Sequence, residues 1–228
     1  MPTRRITRSP VKVTGTVPDG QEFESTLEED FFVLLRFNRL VASFEAQPVT
    51  IEWRDAAKKI RTYTPDVLVR YKTELAECAK WPPLLCEVKP DLNDTTESPR
   101  RRKPPRTENE SENELKWKAA ERYAVKHGWE FKVFRESDIR TSYLDNARFL
   151  LRYLERRSNT KYEADLLAIL AERGSMTLAT WAEAASHSSE ERALVFPTCY
   201  RLIASQQVNV DLSNVLTLDS IVKESTDA

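Results

Sequence analysis

Histidine, cysteine and glycine are scarce in this chain, with two, three and four residues among 228. His127 and His187, taken with Cys78, Cys86 and Cys199, offer no zinc-ligand spacing, so a metal would have to be held by carboxylate oxygens. An odd number of widely spaced cysteines points to free thiols and not to a disulfide frame. No apolar run approaches the roughly 20 residues needed to span a bilayer. The start, Met1-Pro-Thr-Arg-Arg, lacks the apolar stretch of a secretion signal, which leaves a cytoplasmic location as the expectation. A basic surplus is missing as well: the net charge is -1, whereas nucleic-acid binders usually present a basic surface.

What is present is enough apolar content, 40%, to bury one substantial core and to leave material for a second small domain. The charge is also unevenly distributed. From residue 157 onward there are ten acidic and six basic residues, a net -4, so the first 156 residues carry +3. Acid and base are segregated along the chain, and the expected division is an α/β domain over residues 1–157 and a small α+β domain over 158–228.

The first eighteen residues carry Arg4, Arg5, Arg8 and Lys12 with no acidic residue and read as a basic arm entering a short strand. Between residues 25 and 40, Leu27, Phe31, Leu34, Leu35 and Leu40 fall near helical spacing behind Ser25 or Thr26 as N-cap. Strand-like stretches follow at 49–53, at 62–71 with Pro65 inside it, and at 84–89. Residues 91–111 turn to Pro, Asn, Thr, Glu and the cationic cluster Arg100, Arg101, Arg102, Lys103 and Arg106, from which no packed core can come. A helix is predicted over 112–127, closed by Gly128, then an alternating strand at Trp129, Phe131 and Val133, then a helix over 145–157. Beyond it, helices at 162–173, 177–185 and 189–205 precede two short alternating runs, 208–212 and 215–218, across a polar turn. Three helices and a hairpin make a winged-helix-like arrangement.

The residues that carry chemistry are Thr64-Pro65-Asp66 and, 21 positions beyond the aspartate, Glu87-Val88-Lys89 at the end of an apolar strand. Glu87 and Lys89 are two apart, so on a strand both side chains face the same way. Asp66 comes from the neighbouring strand region, and two carboxylates on adjacent strands can share a divalent ion. Phosphodiester hydrolysis needs such an oxygen-ligated ion to polarise the phosphate and lower the pKa of the attacking water. Asp66, Glu87 and the Val88 carbonyl are the candidate metal ligands, with Lys89 orienting water or offsetting charge on the phosphate. Glu28, on the preceding helix, is the candidate for a second metal position, although Glu24, Glu29 and Asp30 lie close enough to replace it. Pro-Asp alone is a common turn and Glu-x-Lys alone a common cross-strand pair. Their order, acidic helix, Pro-Asp, apolar strand ending Glu-x-Lys, helix, strand, is that of the αβββαβ core of the PD-(D/E)xK, restriction-endonuclease-like nucleases.

Within that class the sequence resembles the TnsA-type transposon-end endonucleases, through residues 23–31, Phe44-Glu45-Ala46-Gln47-Pro48, Tyr63-Thr64-Pro65-Asp66, Glu87-Val88-Lys89-Pro90 and 116–134. The resemblance implies a Mg²⁺-dependent DNA endonuclease, with Mn²⁺ able to substitute and two ions expected, that cuts the 5′ ends of transposon DNA. It assigns Glu28, Asp66, Glu87 and Lys89 to catalysis. As partners it implies double-stranded DNA, a TnsB-type transposase that joins the 3′ ends, and a TnsC-type AAA+ regulator engaged by the C-terminal domain. The compact length is similar to that of members from CRISPR-associated transposons. Arg4, Arg5, Arg8, Lys12, Arg100, Arg101, Arg102 and Lys103 are the candidate DNA contacts, since each cationic phosphate contact releases counterions. The competing readings are a repair or restriction nuclease working alone and a catalytically idle adaptor; intact Asp66, Glu87 and Lys89 argue against idleness.

Overall fold

The structure, a computed structural model, describes residues 15–16, 20–91, 110–154 and 160–225. By their internal contacts the residues form two compact units, one ending at Ile139 and the other beginning at Arg140.

The first unit opens with two short paired strands, β1 (Gly15–Thr16) and β2 (Glu22–Phe23), and the helix α1 (Thr26–Phe37). Ser25 is the N-cap of α1: its hydroxyl accepts from the Glu28 N–H, and Leu27, Phe31, Phe32 and Leu35 face the core. Five strands follow, β3 (Val41–Ala46), β4 (Ile51–Arg54), β5 (Ile60–Tyr63), β6 (Val67–Tyr71) and β7 (Leu84–Lys89). Then come α2 (Glu110–Lys126), β8 (Glu130–Arg135) and the short helix α3 (Glu136–Ile139). Gly128, at a φ of 70°, makes the left-handed turn between α2 and β8.

The main sheet has the order β3-β6-β7-β8; β3, β6 and β7 are antiparallel neighbours and β8 lies parallel to β7. A parallel neighbour needs a crossover, and α2 supplies it. One apolar layer, with Leu27, Phe31, Phe32, Val67, Val69, Cys86 and Val88, lies under α1. Another, with Trp53, Leu68, Leu85, Ala120 and Ala124, lies under α2. Alternate residues of β6 and β7 feed opposite layers, as a two-period strand requires.

Two features depart from the sequence reading. Residues 62–71 are not one strand: they divide into β5 and β6 around Thr64-Pro65-Asp66, because proline cannot donate to a ladder. β5 pairs with β4 in a separate two-stranded ribbon, and β3, absent from the expectation, takes its place beside β6. With the ribbon set aside, the order α1, β3, β6, β7, α2, β8 is the αβββαβ order expected, and the mixed α/β unit is consistent with a nuclease-like fold.

The second unit contains α4 (Ser142–Leu154), a 3-10 turn (Thr160–Tyr162), α5 (Glu163–Arg173), β9 (Met176–Thr177), α6 (Leu178–Ala184), α7 (Ser189–Ala204), β10 (Val208–Val210) and β11 (Ile221–Glu224). Its sheet is antiparallel in the order β10-β11-β9. Two expectations shift here. The helix expected at 145–157 as the end of the first domain packs on α7, and its buried Asn146 donates to the carbonyls of Leu212 and Asn214 at 2.9 and 2.7 Å and accepts from the Leu216 N–H at 3.0 Å. That network places the compact boundary at 139/140 and not at 157/158. The run 215–218 is not a strand; Val215 and Leu218 are exposed, and the partner of β10 is β11. Among the described residues no helix is long and apolar enough to cross a membrane, and Cys78, Cys86 and Cys199 are free and buried.

Candidate active site

β7 is an apolar strand whose last turn of the pleat carries Glu87 and Lys89 on one side. The Lys89 ammonium stands 2.9 Å from Glu87 Oε1. Glu87 is only 2% exposed, and its other oxygen, Oε2, accepts a hydrogen bond from the Tyr63 hydroxyl at 2.6 Å. A buried carboxylate is tolerated when both oxygens are engaged, and here one takes an ammonium and the other a short O–H donor.

Asp66 enters from the break between β5 and β6. Its backbone N–H donates to the Cys86 carbonyl at 3.1 Å, and its carbonyl accepts from the Gln47 N–H at 2.7 Å. Its side-chain Oδ2 accepts from the Val88 N–H at 2.7 Å, so the aspartate is tied to the residue between Glu87 and Lys89. The interruption caused by Pro65 is what frees Asp66 to turn its carboxylate across to β7. Gln47 sits at a φ of 49°, a left-handed conformation uncommon for a non-glycine residue, and its Nε2 donates to Glu24 Oε1 at 3.1 Å.

Glu28 lies in the first turn of α1. Its Oε2 accepts from the Glu24 N–H at 2.9 Å and its Oε1 from the Ser25 hydroxyl at 3.0 Å, so the helix start orients it. Asp30 is buried and Glu29 partly so. The charges of Glu28, Asp66, Glu87 and Lys89 act on one another. Burial raises the Asp66 carboxyl well above the usual carboxylate range, and the charges of Glu87 and Glu28 push the same way, against the Lys89 ammonium and the Val88 N–H. Burial also raises Glu28, and the N–H of Glu24 and hydroxyl of Ser25 oppose it. Burial and the neighbouring Glu87 likewise raise the Tyr63 phenol, which stays a donor.

The structure thus brings together Asp66, Glu87 and Lys89, with Glu28 within electrostatic range. Among the described residues no three His, Cys, Asp or Glu side chains form a ready-made metal cage. Mg²⁺ does not require one, because it keeps several waters and is bound through one or two carboxylates plus substrate phosphates. The donor set fits such an ion: only oxygen ligands, an excess of negative charge around Asp66, and a Lys89 ammonium already drawn onto Glu87 as a counter-cation.

Tyr63 is the residue that sequence reasoning missed. It stands three positions before Asp66, but its partner Glu87 is 24 residues away and nothing local announces the contact. Of the candidate DNA contacts, Arg4, Arg5, Arg8, Lys12, Arg100, Arg101, Arg102 and Lys103 all lie outside the described residues. His127 meets the Tyr123 carbonyl at 2.8 Å and stacks on that ring, and Trp117, Tyr123 and Trp129 pack on the core layer under α2, which is a structural use of all four.

A search of curated proteins returns no match. Residues 38–136, from the end of α1 to the start of α3, match the family described as TnsA-like endonuclease N terminal, and the segment includes Asp66, Glu87 and Lys89 but not Glu28. Residues 38–136 are thus similar to the N-terminal domain of TnsA-like endonucleases.

Proposed function

We propose that this protein is a Mg²⁺-dependent DNA endonuclease that cuts the 5′ ends of transposon DNA within a heteromeric transposase. The observation that carries the reading is the approach of Asp66, from the bend before β6, to the Glu87-Val88-Lys89 end of β7, where the charges of Asp66 and Glu87 act on each other beside Lys89. Asp66, Glu87 and the Val88 carbonyl would hold the ion, and Glu28 would serve a second one; Mn²⁺ would substitute. When bound, the ion supplies Lewis-acid polarisation of the phosphate and a lowered pKa for the attacking water. The protein's own groups do the rest. Tyr63 keeps Glu87 in one rotamer, the Val88 N–H keeps Asp66 in another, and Lys89 offsets negative charge that develops on the phosphate oxygens.

The second unit is proposed to be a winged-helix-like, partner-binding domain. The order α5, β9, α6, α7, β10, β11 with a three-stranded antiparallel sheet supports this reading. The acidic surplus of residues 157–228 within it disfavours duplex DNA, which rewards cationic contacts, and suits a protein, the TnsC-type AAA+ regulator. A TnsB-type transposase would join the 3′ ends.

The test is a complete transposition reaction with Asp66→Ala. Loss of 5′-end cutting with 3′-end joining intact should shift the products from simple insertions to cointegrates. Simple insertion at the wild-type rate would contradict the assignment.

A further inference from the structure

The β4–β5 ribbon stands apart from the main sheet and leads directly into the candidate site. Its register is Ile51↔Tyr63, Glu52↔Thr62, Trp53↔Arg61 and Arg54↔Ile60. Ile51, Trp53 and Tyr63 are buried in the layer under α2 and fix the base. The far end is exposed and cationic: residues 51–63 hold Arg54, Lys58, Lys59 and Arg61 against Glu52 and Asp55.

The tip turn consumes its own acid. Asp55 Oδ1 accepts from the Lys59 N–H at 2.9 Å, and Asp55 Oδ2 accepts from Arg61 Nε at 2.9 Å. The Lys58 N–H donates to the Asp55 carbonyl at 2.8 Å, and Lys58 takes a φ of 61°. Asp55 is thus engaged as a turn-former and neutralised by Arg61. Among the described residues no ion pair joins Arg54, Lys58 or Lys59 to a carboxylate, and all three are exposed. A turn that closes on an internal ion pair and leaves three other cations in solvent presents positive charge in a fixed place.

That place has a defined distance from the chemistry. From Tyr63, which holds Glu87, to the Arg54↔Ile60 pair is three residues, roughly 10 Å at the usual strand rise. This is about three base-pair steps along a duplex at roughly 3.4 Å each. We propose that the tip of this ribbon, through Arg54, Lys58 and Lys59, grips the phosphate backbone of duplex DNA beside the position to be cut. The proposal rests on the nuclease reading of the adjoining site and adds the element that seats its substrate.

The experiment measures binding of a fluorescent 30-base-pair duplex to the full chain, in EDTA to prevent cutting, across a series of salt concentrations. Each phosphate contact contributes about 0.9 to the slope of log K against log salt. The triple variant Arg54→Ala, Lys58→Ala, Lys59→Ala should flatten that slope by about 2.7 with an unchanged melting temperature, and Arg54→Lys should leave it unmoved. A control pair, Lys80→Ala with Lys126→Ala, removes exposed cations that precede β7 and β8, at the end of those strands away from Lys89, and should leave the slope as it was. An unmoved slope in the triple variant, or an equal fall per cation in the control, overturns the proposal. So does an unmoved slope accompanied by loss of a protein partner, which would give the ribbon to that partner. A wild-type protein that holds no duplex even in low salt would sink the nuclease reading itself, a result distinct from failure of the ribbon alone.

Discussion

Tyr63→Phe takes one oxygen out of the candidate site and leaves the ring, its packing against the layer under α2 and the Lys116 ammonium 5.1 Å from its centroid in place. The lost contact is a 2.6 Å bond from a buried phenol to a carboxylate that is 2% exposed. Hydrogen bonds to charged groups contribute roughly 1.5–3 kcal/mol, and a buried acceptor left without its donor incurs the upper part of that range because water cannot replace it. Lys89 still holds Oε1, so the carboxylate is not orphaned, but Oε2 is free to rotate. The expected loss is therefore about 1.5–3 kcal/mol, or roughly 3–12 °C in Tm for a chain of this size. Urea unfolding followed by tryptophan fluorescence reads it, since Trp53 lies in the same ribbon. Cleavage should fall as well, because Glu87 loses its fixed rotamer. A loss below about 0.5 kcal/mol with full cleavage would show that Tyr63 does not hold Glu87, and the geometry argued above would be wrong.

Three further outcomes are expected. Asp66 and Glu28 both have pKa values raised in the folded state above their ordinary 3.8 and 4.5. Their contribution to stability is therefore fully present below those ordinary values and is lost as pH rises through the folded ones. Asp66→Asn, uncharged throughout, should stabilise the metal-free protein at pH 7 by about 0.5–2 kcal/mol and flatten its stability between acid and neutral pH, as thermal melts across that range would show; a destabilised variant would contradict the crowding of charge. Lys89→Ala should lower the single-turnover cutting rate far more than DNA affinity, and Lys89→Arg should not restore it, because a planar guanidinium cannot occupy the point of an ammonium; a defect confined to binding would remove Lys89 from the reacting phosphate. Residues 140–228 expressed alone should capture the AAA+ partner and ignore DNA in a pull-down, and strong salt-sensitive DNA binding by that half would overturn the charge argument.

Local signals carried much of the fold. Ser25 before an amphipathic run, Gly128 after one, and the apolar stretch ending in Glu87-Val88-Lys89 each reflect chemistry within a turn or a strand, and α1, α2, β7 and β8 lie where those signals put them. The misreadings come from non-local terms. β3, Val-Ala-Ser-Phe-Glu-Ala, has neither clean alternation nor a β-branched run and owes its state to the ladder with β6. The run Val215-Leu216-Thr217-Leu218 imitates a strand, but β10 pairs with Ile221–Glu224, where Val222 is buried. The burial of Asn146 depends on three backbone groups some 66 to 70 positions away that converge on it. At the site the same rule applies: Glu87 and Lys89 were legible as a same-face pair, and Pro65-Asp66 as the adjacent carboxylate. The Tyr63 donor and the Val88 N–H that fix them depend on how β5, β6 and β7 come together.

Metal-dependent cutting by Asp66 and Glu87 is measured most directly by single-turnover nicking of a transposon-end duplex labelled at the 5′ strand, by the wild-type chain and by Asp66→Ala in the presence of the transposase, with Mg²⁺ and with EDTA. Wild-type protein with Mg²⁺ should nick the 5′ strand, and both EDTA and Asp66→Ala should abolish the nick while the variant keeps its wild-type melting temperature or exceeds it. Nicking that persists in EDTA, or in Asp66→Ala with Mg²⁺, would contradict a metal-dependent endonuclease built on Asp66 and Glu87.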